Sequence, residues 1–141
     1  MATRSRIGLQ LADGAILSVY HHWDGYPEWL GVMLKKNYNT REKIAELLDG
    51  GDISCLASDT DWDRKECEPH VLYYNARGEK TEPRLDANVD DYFEGGEEYA
   101  YIFTLDHKWE CYALTHERDD DFVVIQTNAV PDEIPSELPV E

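Results

Sequence analysis

A chain of 141 residues is the length of one ordinary domain and is long enough to bury a core without disulfides or metal ions. Hydrophobic residues make up 42% of it, which argues against general disorder. The formal net charge of −17 repels phosphate backbones, so binding of DNA or RNA through a basic surface is not expected.

The acidic excess lies entirely in the second part of the chain. Residues 1–50 carry six acidic and six basic residues, so residues 51–141 account for the whole charge of −17. A strongly charged surface commonly serves solubility. The same field would attract a basic surface on another protein, which makes such a protein a candidate partner.

The sequence shows no signal for membrane insertion or secretion. No apolar run approaches the roughly 18 residues of a membrane span, and no apolar segment follows the start Met-Ala-Thr-Arg-Ser-Arg. The cysteines Cys55, Cys67 and Cys111 are an odd number without a CxxC motif, which fits a reducing compartment better than a disulfide framework. We therefore expect a cytoplasmic protein.

The first 23 residues predict a β-hairpin. Apolar residues alternate along residues 4–11, as they do in a half-buried strand. Asp13-Gly14 is a strong hairpin signal because it stands between two such runs, and residues 15–23 form the second strand.

Two helices are predicted after this hairpin. Pro27 suits a first helical turn, and an apolar stripe at i, i+4 spacing continues to about Tyr38. Thr40 is a good N-cap for a second helix over residues 41–49. Gly50-Gly51 ends that helix by allowing a left-handed C-cap.

The second half of the chain predicts mainly strands. A strand over residues 71–75 is followed by a long polar connection, residues 76–98. Residues 99–105 and 109–114 form a second hairpin, because apolar and aromatic residues alternate on both sides of a polar turn. One more strand is predicted over residues 122–126.

These elements define an α+β fold with a largely antiparallel sheet. The sheet consists of two hairpins plus additional strands, and the helical pair follows the first hairpin and covers one face. We expect one domain over residues 1–130 and an irregular, proline-rich acidic tail over residues 131–141. The aromatic side chains of residues 99–103 are expected in the core.

Side chains that could take part in catalysis or binding are most concentrated in the stretch His21-His22-Trp23-Asp24-Gly25-Tyr26-Pro27. Strand alternation sends His21 and His22 to opposite faces, so they cannot easily bind one metal ion. Either imidazole could pair with Asp24 or Glu28 and act as a general base. However, the sequence shows neither a nucleophile nor a group that would stabilise an oxyanion beside it. We therefore assign no catalytic residue, and a purely structural turn is the competing interpretation.

The same stretch is a candidate binding site for a small anionic ligand. Arg4 and Arg6 alternate on the first strand, beside the hairpin partner that carries His22, although exposed charges that protect a sheet edge are commoner. The candidate ligand-binding residues are Arg4, Arg6, His22, Trp23, Asp24 and Tyr26.

Two groups of residues contain possible metal ligands, but neither has the spacing of a known site, so no metal ligand is assigned. The possible zinc ligands match no zinc-module spacing, and buried free cysteines are the competing interpretation. These ligands are Cys67, His70, His107, Cys111 and His116. Asp59, Asp61 and Asp63 resemble the start of a calcium loop, but Arg64 stands where such a loop needs glycine. No cofactor is expected.

The segment Thr3-Arg4-Ser5-Arg6-Ile7-Gly8, followed by His22-Trp23-Asp24-Gly25-Tyr26-Pro27, resembles a family of short, uncharacterised proteins of bacteriophages and bacterial genomes. The resemblance covers about the first 50 residues. It implies a phage setting and no particular activity.

Two functional hypotheses follow from these observations. The first is a non-enzymatic phage accessory protein that binds a host or defence protein with a basic surface and acts as its inhibitor. The alternative is a binding protein or enzyme for a nucleotide-like ligand, which would use residues 21–27 together with Arg4 and Arg6.

Overall fold

A computed structural model describes residues 3–23, 25–57, 70–73 and 81–135. These residues form eight strands, a π-helical turn (Pro27–Gly31) and three α-helices. The strands are β1 (Ser5–Gln10), β2 (Ile16–Trp23), β3 (Ile53–Ala57), β4 (His70–Tyr73), β5 (Arg84–Asp86), β6 (Tyr99–Phe103), β7 (Trp109–Arg118) and β8 (Val124–Asp132). The helices are α1 (Val32–Asn37), α2 (Arg41–Asp49) and α3 (Val89–Glu94).

The strands form one mixed sheet in the order β4-β3-β2-β1-β6-β7-β8. β5 pairs with the first part of β2, on the side where β3 pairs with its end. β1 and β6 are parallel, as are β2 and β3, and the other pairs are antiparallel. The predicted α+β class with a largely antiparallel sheet is therefore confirmed.

The first hairpin closes through the predicted Asp-Gly turn. The Leu11 N–H donates to the Ala15 carbonyl oxygen at 2.8 Å, and the Gly14 N–H donates to Leu11 at 2.9 Å. Gly14 adopts a φ of 89°, which a side chain would make unfavourable. This local chemistry sets the register that opposes Ile7 to Val19.

The helical pair also forms as predicted. The π-helical turn beginning at Pro27 leads directly into α1. The Thr40 hydroxyl oxygen accepts a hydrogen bond from the Lys43 N–H at 3.2 Å and so caps α2. Gly51 has a φ of 86°, as expected of a glycine that ends a helix.

The π-helical turn, α1 and α2 cover one side of the sheet, here called the first face. Its buried residues form the larger core cluster. They are Ile7, Leu9, Val19, Trp29, Leu30, Val32, Met33, Leu34, Ile44, Leu47, Leu48, Ile53, Tyr101, Phe103, Cys111 and Ile134. The expected burial of the aromatic residues of β6 is confirmed for Tyr101 and Phe103, which are at most 1% exposed, whereas Tyr99 is half-buried.

α3 lies on the opposite side of the sheet, here called the second face. A smaller core forms there from Ile16, Tyr92, Ala100 and Ile102. The predicted helical pair thus covers one face as expected, and α3 is an additional helix on the other face that the sequence did not predict.

The prediction of a long polar connection over residues 76–98 is wrong where β5 and α3 form. Three strand residues and six helical residues are too few to show a clear period in a polar sequence. Asn88 caps α3 through its side-chain oxygen, which accepts from the Asp91 N–H at 2.8 Å.

The chain remains regular beyond the point where an irregular tail was predicted. β8 continues through Pro131 to Asp132, and Ile134 packs in the first-face core, where a Cβ on Gly31 would lie 2.9 Å from it. Proline is tolerated there because β8 is at the edge of the sheet, where the missing N–H need not enter a ladder.

Several sequence interpretations lie partly or wholly outside the described residues, among them Asp24 and the end of the predicted tail. The loop at residues 59–63, Cys67 and the end of the strand predicted over residues 71–75 lie outside them too. Of the helices that the described residues form, none has the length and apolar character needed to cross a membrane.

Candidate functional site

His21 and His22 lie on opposite faces of β2, as strand alternation predicted. His21 is completely buried on the first face, and its Nδ1 lies 3.4 Å from the Ser5 hydroxyl oxygen. Burial, with a smaller effect from neighbouring His22, lowers the pKa of His21 to about 3. The imidazole is therefore neutral at physiological pH and forms part of the core.

His22 is half-buried on the second face. Its Nδ1 lies 2.6 Å from the Tyr20 hydroxyl oxygen, and the two ring centroids are 5.8 Å apart. These side chains are two residues apart on one strand and therefore share a face.

The turn after β2 is packed tightly against the beginning of β1. The Gly25 N–H donates to the Thr3 carbonyl oxygen at 2.9 Å, and its own carbonyl oxygen accepts from the Tyr101 hydroxyl at 2.7 Å. A Cβ at Gly25 would lie 2.5 Å from the Ser5 hydroxyl oxygen and 2.6 Å from the Thr3 oxygen. A side chain would not fit at this position. Gly25 is therefore required where the turn connects β2 to the helices.

The predicted ligand-binding residues that the structure describes are divided between the two faces of the sheet. Tyr26 packs against the first-face core, whereas Arg6 and His22 lie on the second face. Arg4 is exposed, and its N–H donates to a Glu98 carboxylate oxygen at 2.8 Å.

The structure says less about Trp23 and Asp24, the other two predicted ligand-binding residues. Trp23 is the last residue of β2 and pairs with Cys55 of β3. Asp24 lies outside the described residues.

Arg6 is buried in the middle of the sheet. Its side chain belongs to β1, which has β2 on one side and β6 on the other, and it is only 8% exposed. Its Nε donates to the Ser18 hydroxyl oxygen at 3.0 Å and its Nη2 to the Ser18 carbonyl oxygen at 3.3 Å. The interpretation of Arg6 as an exposed charge at a sheet edge is therefore wrong.

Arg84 is a second arginine on this face, and the sequence did not single it out. It stands opposite Ser18 in the pairing of β5 with β2. Its Nε forms an ion pair with Asp86 Oδ2 at 2.9 Å, and its Nη1 donates to the Gly95 carbonyl oxygen at 3.0 Å. Its Nη2 is buried and has no hydrogen-bond partner among the residues that the structure describes.

Together these side chains form a polar band across the second face, made up of Arg6, Ser18, Tyr20, His22 and Arg84. Burial, followed by the charge of Arg84, lowers the pKa of Arg6, while Asp52 and Asp86 act in the opposite direction. The guanidinium groups of Arg6 and Arg84 therefore act on each other as neighbouring like charges.

The zinc ligands considered from the sequence are separated where they can be compared. Cys111 is buried on the first face, and burial raises its pKa to about 12. His116, on the other side of β7, donates from Nε2 to the Gly96 carbonyl oxygen at 2.9 Å, and its Nδ1 lies 2.8 Å from the Thr127 hydroxyl oxygen. Across the part of the chain that the structure describes, no three metal-ligating side chains come together.

The tip of the hairpin formed by β7 and β8, residues 119–125, is the main exposed apolar feature. β7 pairs with β6 only as far as Ala113, so the end of the hairpin extends past the neighbouring strand. Phe122 is 80% exposed, Val123 57% and Ile125 64%.

The acidic residues Asp119-Asp120-Asp121 stand directly before these apolar side chains and are exposed too. A carboxylate oxygen of Asp119 accepts from the N–H groups of Asp121 at 2.9 Å and Val123 at 3.0 Å. The tip therefore combines an ordered turn, three carboxylates and a projecting aromatic ring. Comparison of the chain with protein-family models, with curated proteins and with solved structures finds no match.

Proposed function

We propose that this chain is a non-enzymatic binding protein that uses the hairpin tip to bind a protein with a basic surface. The observation that carries the proposal is the exposure of Phe122, Val123 and Ile125 beside three consecutive aspartates. Single apolar residues are common on protein surfaces, whereas an aromatic ring with two aliphatic neighbours is typical of an interface centre.

The backbone at the tip supports this interpretation. Phe122 has a φ of 63°, an uncommon conformation for a residue with a bulky side chain. The turn is held by the Asp119 carboxylate and by Arg118, whose Nη1 donates to the Phe122 carbonyl oxygen at 3.2 Å. Such an ordered loop loses less conformational freedom on binding than a flexible one.

Charge selects the kind of partner. The three aspartates belong to a region that carries the whole net charge of −17, so a basic protein surface is attracted and an acidic one is repelled. In this interpretation the apolar side chains supply the buried centre of the interface and the carboxylates supply its rim.

The biological setting is a further part of the proposal. The resemblance of the first 50 residues to phage and bacterial proteins supports a phage accessory protein that acts in the host cytoplasm. Its partner would then be a host or defence protein, which the chain would inhibit by occupying the basic surface.

The test compares Phe122→Ser with Leu105→Ser, a control at another exposed apolar residue, which is 46% accessible in the β6–β7 turn. Each full chain is immobilised and exposed to bacterial host lysate at about 0.05 M and about 0.5 M salt. We expect a basic protein to be retained by the natural chain and by Leu105→Ser, but to be lost with Phe122→Ser and at the higher salt.

The retained protein is then purified and titrated against the same three chains. Equal affinity of Phe122→Ser and the natural chain would refute the role of the tip. Retention of an acidic protein, or of nothing at low salt, would refute the proposed partner class.

A further inference from the structure

The second face brings two arginines to the same serine. Arg6 bonds Ser18 from β1, and Arg84 stands opposite Ser18 on β5. Because directly paired residues share a face, the side chains of Ser18 and Arg84 lie on the same side of the sheet. Two guanidinium groups thus converge from strands that flank β2 on both sides.

The charges at this place are unusual for so acidic a chain. Acidic residues outnumber Lys and Arg by 30 to 13, yet among the described residues no carboxylate forms an ion pair with the buried Arg6. Burying a charge is costly unless it is paired.

The two nearby carboxylates are already engaged in other bonds. Asp86 bonds the Nε of Arg84, and an Asp52 oxygen accepts from the Tyr20 N–H at 2.9 Å. Both still favour the charged form of Arg6 at a distance. Neither carboxylate supplies the direct hydrogen-bonded partner that a buried guanidinium requires.

The donors are held in fixed positions. Arg84 is anchored by Asp86 and by the Gly95 carbonyl oxygen, and a Cβ at Gly95 would lie only 2.9 Å from its Nη1. The glycine therefore gives the guanidinium room to lie close against the backbone. Arg6 is fixed in turn by its two bonds to Ser18.

We propose that the second face binds the phosphate group of a small anion through Arg6 and Arg84. Guanidinium groups present paired donors that match the oxygens of a phosphate, and an arginine pair suits its double negative charge. One of the donors is the Nη2 of Arg84, which is buried and has no partner within the described part of the chain. This site keeps Arg6 from the ligand set predicted from the sequence and adds Arg84.

The phosphate site is independent of the hairpin tip. It lies in the middle of the sheet on β1, β2 and β5, whereas the tip joins β7 to β8 at the sheet edge. Loss of phosphate binding therefore leaves the proposed protein partner untouched, and the reverse also holds.

The experiment is calorimetric titration of the full chain with inorganic phosphate and, separately, with adenosine monophosphate. It is carried out at about 0.15 M ionic strength, where the screening length is about 8 Å and the acidic surface repels the anion less. Arg84→Gln is compared with Lys108→Gln, which removes the same charge at an exposed residue of the β6–β7 turn.

We expect the natural chain and Lys108→Gln to bind equally, and Arg84→Gln to bind at least about tenfold more weakly. Equal affinity for both probes would show that the phosphate alone is recognised, and tighter binding of adenosine monophosphate would identify a nucleotide. Binding of neither probe, or equal binding by Arg84→Gln, would overturn the proposal.

Circular dichroism shows whether Arg84→Gln is folded. If it is not, Arg84→Lys replaces it, because lysine keeps the charge but loses the planar pair of donors. A folded Arg84→Lys chain that binds phosphate as tightly as the natural chain would then overturn the proposal.

Discussion

The two faces of the sheet bury side chains of different chemistry. The first face packs apolar residues of the helices against Ile7, Val19 and Tyr101, and its buried histidine is neutral. The second face buries a charged arginine and a serine beside a much smaller apolar cluster. Burial of apolar area stabilises a fold with little directional demand, whereas buried polar groups require specific partners.

The first face should therefore contribute most of the stability of the fold, and the second face should contribute specific polar contacts. Substitutions on the first face should be costly because they leave cavities or charge the core. Substitutions on the second face should cost less in free energy of unfolding and should affect individual hydrogen bonds. The following variants test this contrast.

The largest expected effect is that of Leu30→Ala on the first face. Leu30 is completely buried in the larger core, so its truncation should lower the free energy of unfolding by about 2–5 kcal/mol. Urea denaturation provides the measurement. Leu105→Ala, at an exposed position, should stay within about 0.5 kcal/mol of the natural chain. A loss below about 1 kcal/mol at Leu30 would mean that the helices are not packed as described.

The next effect is acid destabilisation through His21. Its pKa in the folded chain is about 3, below the ordinary value of 6.5. Between these values the unfolded chain binds a proton that the folded chain does not. Stability from this group is therefore complete above about pH 6.5 and falls as the pH decreases toward 3. At pH 4.5 the loss should be about 2–3 kcal/mol.

Urea denaturation of the natural chain and of His21→Asn, from pH 7.5 down to pH 4.5, isolates this contribution. The difference between the two stabilities should shrink in acid, because asparagine does not titrate. His107→Asn, at an exposed histidine, serves as the control and should parallel the natural chain. Parallel curves for His21→Asn and the natural chain would show that His21 is not buried in neutral form.

Local patterns were sufficient to predict most elements of the first face. The turn at Gly14, the cap at Thr40 and the opposite orientations of His21 and His22 depend on neighbours within a few residues. For such features the sequence contains both partners of each interaction. The fold class followed because the hairpins and helices were identified correctly.

The second face depends on partners that are distant in sequence. Arg6 is buried because β6, which begins at Tyr99, lies parallel to β1, and no local pattern reveals that pairing. Arg84 reaches Ser18 through a strand of only three residues. Residues 21–27 were selected for the chemistry of their side chains, so the sequence could not reveal that Arg84 lies near Arg6 in the sheet.

The smallest of the three stability effects is expected for Tyr92→Phe, on the second face. The Tyr92 hydroxyl lies 2.8 Å from the Tyr101 carbonyl oxygen and 3.1 Å from that of Arg6, and its ring packs over Gly8. Phenylalanine keeps the ring but loses the hydroxyl, so unfolding should become easier by about 1–2 kcal/mol.

Tyr112→Phe is the matched control for Tyr92→Phe in the same denaturation experiment. The Tyr112 hydroxyl bonds only the exposed carboxylate of Glu110 among the described residues, at 2.9 Å, so its removal should change stability by less than about 0.5 kcal/mol. Equal effects of both variants would mean that water replaces the buried bonds of Tyr92. The second face would then be open to solvent, and the contrast between the two faces would be lost.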